Sequence, residues 1–341
     1  MKTTLCQGSV RVDLLGGTLD IYPINVVLDN VNTINCATSL MAKVSVSSIS
    51  EDLIIIKSKD YGVESSFDLK KLEHFSYSDE ELGPLRFLML IVKELNPREG
   101  LKIDLESNAP AGSGLGGSSS MGVVFFRALS EHLSLVVPRE RMIEITQRVE
   151  SKILNQGPAG YQDYYPALYG GVLCLSAKMK GVVLKQLYTP ELVSFLKENV
   201  TLVYSGESRK SGINNWEVYK GFFDGDKKII QGLSDIRDFT LLGIESLKRD
   251  DFEKFVQCIC DEGSIREHLF SGIMTEKMVL LKNTLLEKVP SFRGIKVCGA
   301  GGGGCFLVIG KGKDSIHEVV QSFGMSVLDF SIEPPSKDLR D

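Results

Sequence analysis

The runs 43-KVSVSSI-49, 53-LIIIKS-58 and 101-LKIDLES-107 are short and rich in β-branched residues, as strands are. By contrast, 121-MGVVFFRALSEHL-133 and 139-RERMIEITQRVESKIL-154 space their apolar positions at helical intervals. A strand-like 171-GVLCLSA-177 leads through a polar, lysine-containing stretch into 199-NVTLVYSG-206, and a helical pattern broken by polar turns then runs from about residue 214 to 289. The chain closes on 294-GIKVCGAGGGGCFLVIG-310 and 313-KDSIHEVVQSFG-324, which predict a strand, a glycine turn, a strand and a helix. Strands and helices therefore interleave in a chain of the α/β or α+β class. The change of pattern puts a boundary near residue 180, dividing the chain into 1–180 and 181–341. No internal repeat and no low-complexity tail interrupts it.

Composition agrees with two cores, because 341 residues of which 43% are apolar can bury more than one domain's worth of surface. The net charge of -5 is mild and Lys and Arg are scattered, so no face is expected to bind a polyanion and nucleic acid is not a partner. No apolar run approaches the roughly 18 residues of a membrane span, and 1-MKTTLCQGSV-10 lacks the apolar region of a signal peptide, so a cytosolic protein away from membranes is expected. Seven cysteines, an odd number spread over the chain, predict reduced thiols. Cys258 and Cys260 have no second pair nearby and read as helix residues, not zinc ligands.

The chemistry concentrates in 109-APAGSGLGGSSSMGVVFFRAL-129. Gly112, Gly114 and Gly117 satisfy G-x-G-x-x-G, yet five residues, Ser107 to Ala111, separate the strand from the first glycine, unlike the dinucleotide-binding turn. Glu131 stands at about the distance of that fold's ribose-binding acid but precedes 133-LSLVV-137 instead of ending a strand. No lysine follows Gly117, which removes the Walker loop. What survives is common to such loops: small residues let backbone N–H groups approach an anion, and a helix beginning near Ser119 aims its positive end at the same point. Ser118, Ser119 and Ser120 add hydroxyl donors or a metal ligand. A second cluster, 299-GAGGGG-304, fits the same short pattern, but 305-CFLVIG-310 is a strand. It is a strand-to-strand turn, demanded either by tight geometry or by close approach to a ligand.

Three further clusters carry candidate groups. In 10-VRVDLLGGTLDIYP-23, Arg11, Asp13 and Asp20 surround a Gly-Gly turn, and Asp20 reads either as a partner for sugar hydroxyls or as a solvated turn carboxylate. In 150-ESKILNQGPAGYQDYYPALYGG-171, Gln162 and Asp163 lie among Tyr161, Tyr164, Tyr165 and Tyr169, a setting for a general base held apart from bulk water; the competing reading is an Asp that caps a helix starting near Tyr164. In 204-YSGESRKSGINNW-216, Arg209 and Lys210 suit an anionic or polyhydroxylated ligand, or form a solvated basic turn.

Together, Arg-x-Asp-x-x-Gly-Gly with a following Asp, P-x-G-x-G-L-G-G-S-S, G-x-Q-D-x-Y and G-A-G-G-G-G resemble, in order and spacing, the motifs of the GHMP kinase superfamily, which includes galactokinase, homoserine kinase and mevalonate kinase. The resemblance covers most of the chain, and 160-GYQDYYPALYGG-171 and 298-CGAGGGGCFLVI-309 are most similar to sugar kinases of the D-glycero-D-manno-heptose 7-phosphate kinase type.

The resemblance implies an α+β fold of two domains, the first like domain 2 of ribosomal protein S5 and the second ferredoxin-like, with the site between them. It implies ATP cradled by Pro110, Gly112, Ser113, Gly114, Leu115, Gly116, Gly117, Ser118 and Ser119, and Mg²⁺ held by Ser118 and Glu150. Asp163 would be the catalytic aspartate and Arg11 the positively charged residue that flanks it. Asp20, Gln162, Arg209, Lys210, Gly301 and Gly302 would face the substrate. The implied reaction is phosphorylation of a sugar hydroxyl, the anomeric hydroxyl of a heptose 7-phosphate or a related sugar; a homodimer stays open as the assembly. Two departures bear on the substrate: 16-GGTLD-20 has one glycine fewer than Gly-Gly-Gly-Thr-Asp and an inserted Leu, and 213-INNW-216 replaces the usual apolar and Gln residues. A free sugar or a uronic acid therefore stays open as acceptor. So does a catalytically silent sugar- or nucleotide-binding relative, although neither the base nor the metal ligand is lost.

Overall fold

The computed structural model describes residues 2–154, 159–207 and 213–337. Alternating and near-continuous apolar runs become strands β1 (Thr3–Leu15), β2 (Asn32–Ile49), β3 (Leu53–Ser58), β4 (Val63–Asp68), β5 (Gly100–Ser107), β6 (Val172–Lys178) and β7 (Gly181–Gln186), all in one sheet. Its order is β4-β3-β5-β2-β6-β7, with β1 along the other edge of β2. The length of β2 explains the layout: residues 42–49 pair with β5 and residues 32–36 with β6 on one edge, while β1 follows the other. Helices α1 (Ile24–Val27), α2 (Arg86–Leu95), α3 (Gly117–His132), α4 (Arg139–Leu154) and α5 (Tyr165–Tyr169) belong to this half. Helix α3 is apolar nearly all round, and Met121, Val123, Val124, Phe125, Phe126, Ala128 and Leu129 are all buried, which makes it a central core helix and not a surface one.

The helical stretch expected from 214 to 289 appears as α7 (Asn215–Phe223), α8 (Lys227–Leu247), α9 (Phe252–Leu269) and α10 (Glu276–Lys288), preceded by α6 (Pro190–Asn199) and followed by α11 (Lys313–Ser322). These accompany a second, antiparallel sheet, β11-β8-β10-β9, formed by β8 (Val200–Tyr204), β9 (Phe292–Val297), β10 (Cys305–Gly310) and β11 (Ser326–Leu328). The chain changes sheets between Gln186 and Val200.

The two halves share a core. Val10, Val12, Leu14 and Leu15 of β1 pack with Leu202 of β8, Leu307 of β10 and Phe255, Val256 and Ile259 of α9. At roughly 25 cal/mol per Å² of apolar surface removed from water, so continuous a seam disfavours separation of the halves. It also leaves Arg11 and Asp13, two apart on one side of β1, enclosed at the junction. Among the described residues, no helix is long and apolar enough to cross a membrane.

Candidate active site

A cleft of about 480 Å³ opens at this junction. Its walls are the turn after β1, the glycine loop before α3, Glu150 at the inner face of α4, residues 159–163, and the start of the glycine turn after β9. A larger hollow of about 670 Å³ lies over the first sheet, between Leu5 and Lys59, and holds none of the motif residues. Lys59 there pairs with Glu106 at 2.7 Å, and the motif residues gather in the smaller cleft.

The glycine loop is as bare as its sequence suggests. Gly112, Gly114 and Gly116 take φ of +68°, +75° and +71°, a region that β-carbons oppose, and Gly116 passes the chain directly into α3. The helix starts at Gly117, two residues earlier than expected, so the first-turn N–H groups, which lack intrahelical acceptors, belong to Gly117, Ser118 and Ser119. Pro110, Gly112, Ser113, Gly114, Gly116, Gly117, Ser118 and Ser119 all line the cleft. Leu115 does not: its side chain is fully buried in the inter-domain core, and its carbonyl accepts from Arg11 N at 3.0 Å. It anchors the loop from behind.

The second glycine cluster is a turn between β9 and β10 that presses on the first. A Cβ at Gly299 would lie 2.7 Å from the Gly114 carbonyl oxygen, and one at Gly304 would lie 2.7 Å from that of Ser113; Cys305 N donates to the same Ser113 oxygen at 2.7 Å. The close approach is thus of backbone to backbone. Gly301 and Gly302, expected to face substrate, are corrected by this packing. Both are buried, Gly302 N donates to Ile273 O at 2.9 Å, and only Gly299 and Ala300 of the cluster line the cleft.

Arg11 and Asp163, 152 positions apart, meet here. Arg11 Nε donates to Asp163 Oδ1 at 2.8 Å, Nη2 lies 2.7 Å from the same oxygen, and Nη1 donates to Gly114 O at 2.7 Å. One guanidinium therefore fixes the carboxylate relative to the glycine loop. Burial alone would lower the Arg11 pKa, but the Asp163 and Asp13 carboxylates outweigh it and raise the value. The Asp163 side chain remains 26% exposed to the cleft. It does not cap α5, whose first residue follows Tyr164 with no side-chain cap bond, so the capping reading fails.

Asp20 sits deeper. It is 4% exposed and accepts from Gln162 N at 3.1 Å and, more weakly, from Gln162 Nε2 at 3.4 Å. Burial first, then the neighbouring Asp163 charge, pushes its pKa from 3.8 to about 7. Glu150 is also buried, and burial raises its pKa against the opposing hydrogen bonds. Ser119 Oγ and the Tyr164 hydroxyl donate to its Oε2 at 2.8 and 2.6 Å. Ser118 is exposed at the start of α3 and its hydroxyl also acts on this carboxyl. Arg209 and Lys210 lie outside the described residues. Just beyond them, Ile213 and Asn215 line the cleft and Ile213 N donates to Ala300 O at 2.7 Å. Cys258 and Cys260 are buried in α9 with their thiols pushed up to about 11 and 12 by burial, consistent with helix residues.

Sequence reasoning missed a buried group behind the site: Glu262 and Arg266 of α9 and Lys296 of β9, which join Asp13. Lys296 Nζ lies 2.9 Å from Asp13 Oδ1 and 3.2 Å from Glu262 Oε1. The available signal was a lysine in the middle of apolar 294-GIKVCG-299, where a strand buried on both faces has no place for an unpaired charge.

Residues 84–171 match the family described as GHMP kinases N terminal domain. The chain is 25% identical over 309 residues to the D-glycero-alpha-D-manno-heptose 7-phosphate kinase of Campylobacter jejuni, covering 89% of this chain and 88% of that protein. It is 25% identical over 244 residues to the bifunctional fucokinase/GDP-fucose pyrophosphorylase of Arabidopsis thaliana, covering 68% of this chain and 23% of that protein. Among solved structures, the mevalonate kinase of Methanococcus jannaschii superposes with a TM-score of 0.75 at 21% identity, over 98% of this chain and 99% of that one, a likeness of fold.

Proposed function

We propose, from the premise that this chain belongs to the GHMP kinase superfamily, that it transfers the γ-phosphoryl group of ATP to a hydroxyl of a sugar, the anomeric hydroxyl of a heptose 7-phosphate or a related sugar. The observation that carries the reading is the Arg11–Asp163 pair held against Gly114 O, a partly exposed carboxylate beside a left-handed glycine loop that opens a helix. A loop of this kind suits phosphates, which accept from inward N–H groups at the positive end of α3. Pro110 to Ser119 are assigned to ATP on this ground, with Leu115 contributing main chain only. The nucleotide would belong to the half drawn at residues 1–180, and the half drawn at 181–341 would close the acceptor side.

In this mechanism Asp163 accepts the hydrogen of the acceptor hydroxyl and points its oxygen at the γ-phosphorus, while Arg11 fixes the carboxylate in place and adds positive charge near the transferring group. Alignment does most of the work, since phosphoryl transfer asks little covalent chemistry of the protein. Asp20 and Gln162 would hold acceptor hydroxyls. Mg²⁺ is assigned to Ser118 and Glu150, hard oxygen donors that suit it. An ion held there would keep water and phosphate oxygens as its other ligands. Bound there, it would neutralise charge on the β- and γ-phosphates.

The altered 16–20 turn keeps a free sugar or a uronic acid as the second acceptor class. An ATP-consumption assay over sugar 7-phosphates, free sugars, uronic acids, mevalonate and homoserine decides between them. Turnover of mevalonate or homoserine but of no sugar would refute the sugar reading, and no turnover with nucleotide still bound would leave the silent relative.

A further inference from the structure

The turn that carries Asp20 stands in a conformation its sequence does not favour. Thr18, which lines the cleft two positions before Asp20, has φ of +79°, in the left-handed region that a β-branched residue resists. Such a conformation persists only where its surroundings impose it.

They do so through α9. Glu262 and Arg266, one helical turn apart, both face this turn. Glu262 Oε2 accepts from Gly16 N at 2.7 Å. Arg266 Nη1 donates to Gly17 O at 2.9 Å and to Thr18 Oγ1 at 3.2 Å, and Nη2 donates to Gly299 O at 2.5 Å. A Cβ at Gly17 would lie 2.0 Å from Asp13 Oδ2 and 3.0 Å from Arg266 Nη1, so no side chain fits there. Charges balance: Asp13 and Glu262 oppose Lys296 and Arg266, all four at most 1% exposed. Gly299 in turn presses on Gly114 of the glycine loop.

We propose that Arg266 is a positioning residue that sets the spacing between the acceptor turn, residues 16–20, and the phosphate loop, holding Thr18 in its left-handed conformation through one fork of its guanidinium and Gly299 through the other. It rests on the kinase reading above for which ligand stands on each side, and it goes beyond that reading in naming a residue no ligand touches. Planarity is the reason for arginine: two nitrogens on one rigid group reach carbonyls in two directions, which a single ammonium does not.

Arg266→Lys tests this, because it keeps the charge balance of the buried cluster and so keeps the fold. Expected results are faster amide hydrogen exchange at residues 16–20, a fall in kcat/KM for the acceptor of about tenfold or more, and ATP affinity without acceptor changed by less than about twofold. The last follows because Cys305 N and Arg11 Nη1 hold the phosphate loop independently. Adding Thr18→Gly to Arg266→Lys should recover several-fold in acceptor kcat/KM, since glycine takes the left-handed conformation without the clamp. Unchanged exchange at 16–20 overturns the proposal whatever the kinetics. Faster exchange with wild-type acceptor kcat/KM overturns the positioning role, as does a fall in kcat at constant KM for both substrates that tracks loss of folded protein. If the wild-type chain phosphorylates nothing, the kinase reading fails, and the exchange measurement, which needs no substrate, still decides whether the clamp exists.

Discussion

Asp20→Asn should make the protein more stable at neutral pH while weakening its hold on the acceptor. The wild-type carboxyl is 4% exposed, and its pKa stands at about 7 against an ordinary value of 3.8. Below pH 3.8 both folded and unfolded chains hold the proton and the group is neutral in its effect. As pH rises from there the unfolded chain releases the proton and the folded chain keeps it, so stability falls, levelling off once pH passes the folded value. A span of roughly three pH units at about 1.4 kcal/mol each sets a ceiling of about 4 kcal/mol, and between pH 5 and 8 about two of those units, near 3 kcal/mol, are accessible. Relaxation around the charge reduces this, so about 1.5–3 kcal/mol is expected. Asparagine keeps the shape and an oxygen for Gln162 N, and loses the titration. Urea unfolding of both proteins at pH 5, 6, 7 and 8, with equal dependence on denaturant, measures the difference. It should grow in favour of the variant across that range. A difference independent of pH, or a variant that loses ground as pH rises, would refute burial as the dominant force on this carboxyl.

Three other outcomes are expected. Asp163→Asn keeps a hydrogen-bonding shape beside Arg11 but removes the charge, and turnover should fall by about 10² or more while calorimetry still shows ATP binding; near-normal turnover would remove Asp163 from the reaction. Gly116→Val places a branched side chain at φ +71° with its Cβ 3.0 Å from the Asp163 carboxyl carbon, so nucleotide binding should be lost while the circular dichroism spectrum is kept; retained affinity would make the loop a mere connection. Arg209→Ala should raise KM for a sugar 7-phosphate about ten- to a hundredfold and spare ATP, the size of one charge-assisted contact. Equal effects on charged and uncharged sugars would move the assignment to a free-sugar kinase.

By itself the sequence determined what depends on neighbours along the chain. Small residues running into an apolar helix mark a bare backbone loop that opens a helix within 109–129, because steric freedom and a helix end are local properties, and the structure has left-handed glycines there and a helix from Gly117. Periodicity marked α3, α4 and the helical stretch beginning near 214 for the same reason. Tertiary structure decided what depends on partners far away. Whether Asp163 caps a helix or faces a cleft was decided by Arg11, 152 positions earlier, and the close backbone approach of Gly299 and Gly304 was decided by Ser113 and Gly114. The buried quartet was legible only as an oddity at Lys296, since its meaning lies in Asp13, 283 positions away, and in two charges on α9. Backbone conformation is fixed by steric terms acting over a few bonds, whereas the charge state and aim of a side chain are fixed by desolvation and by whichever opposite charge the fold brings within about 3 Å, and neither quantity has a value until the chain has closed on itself.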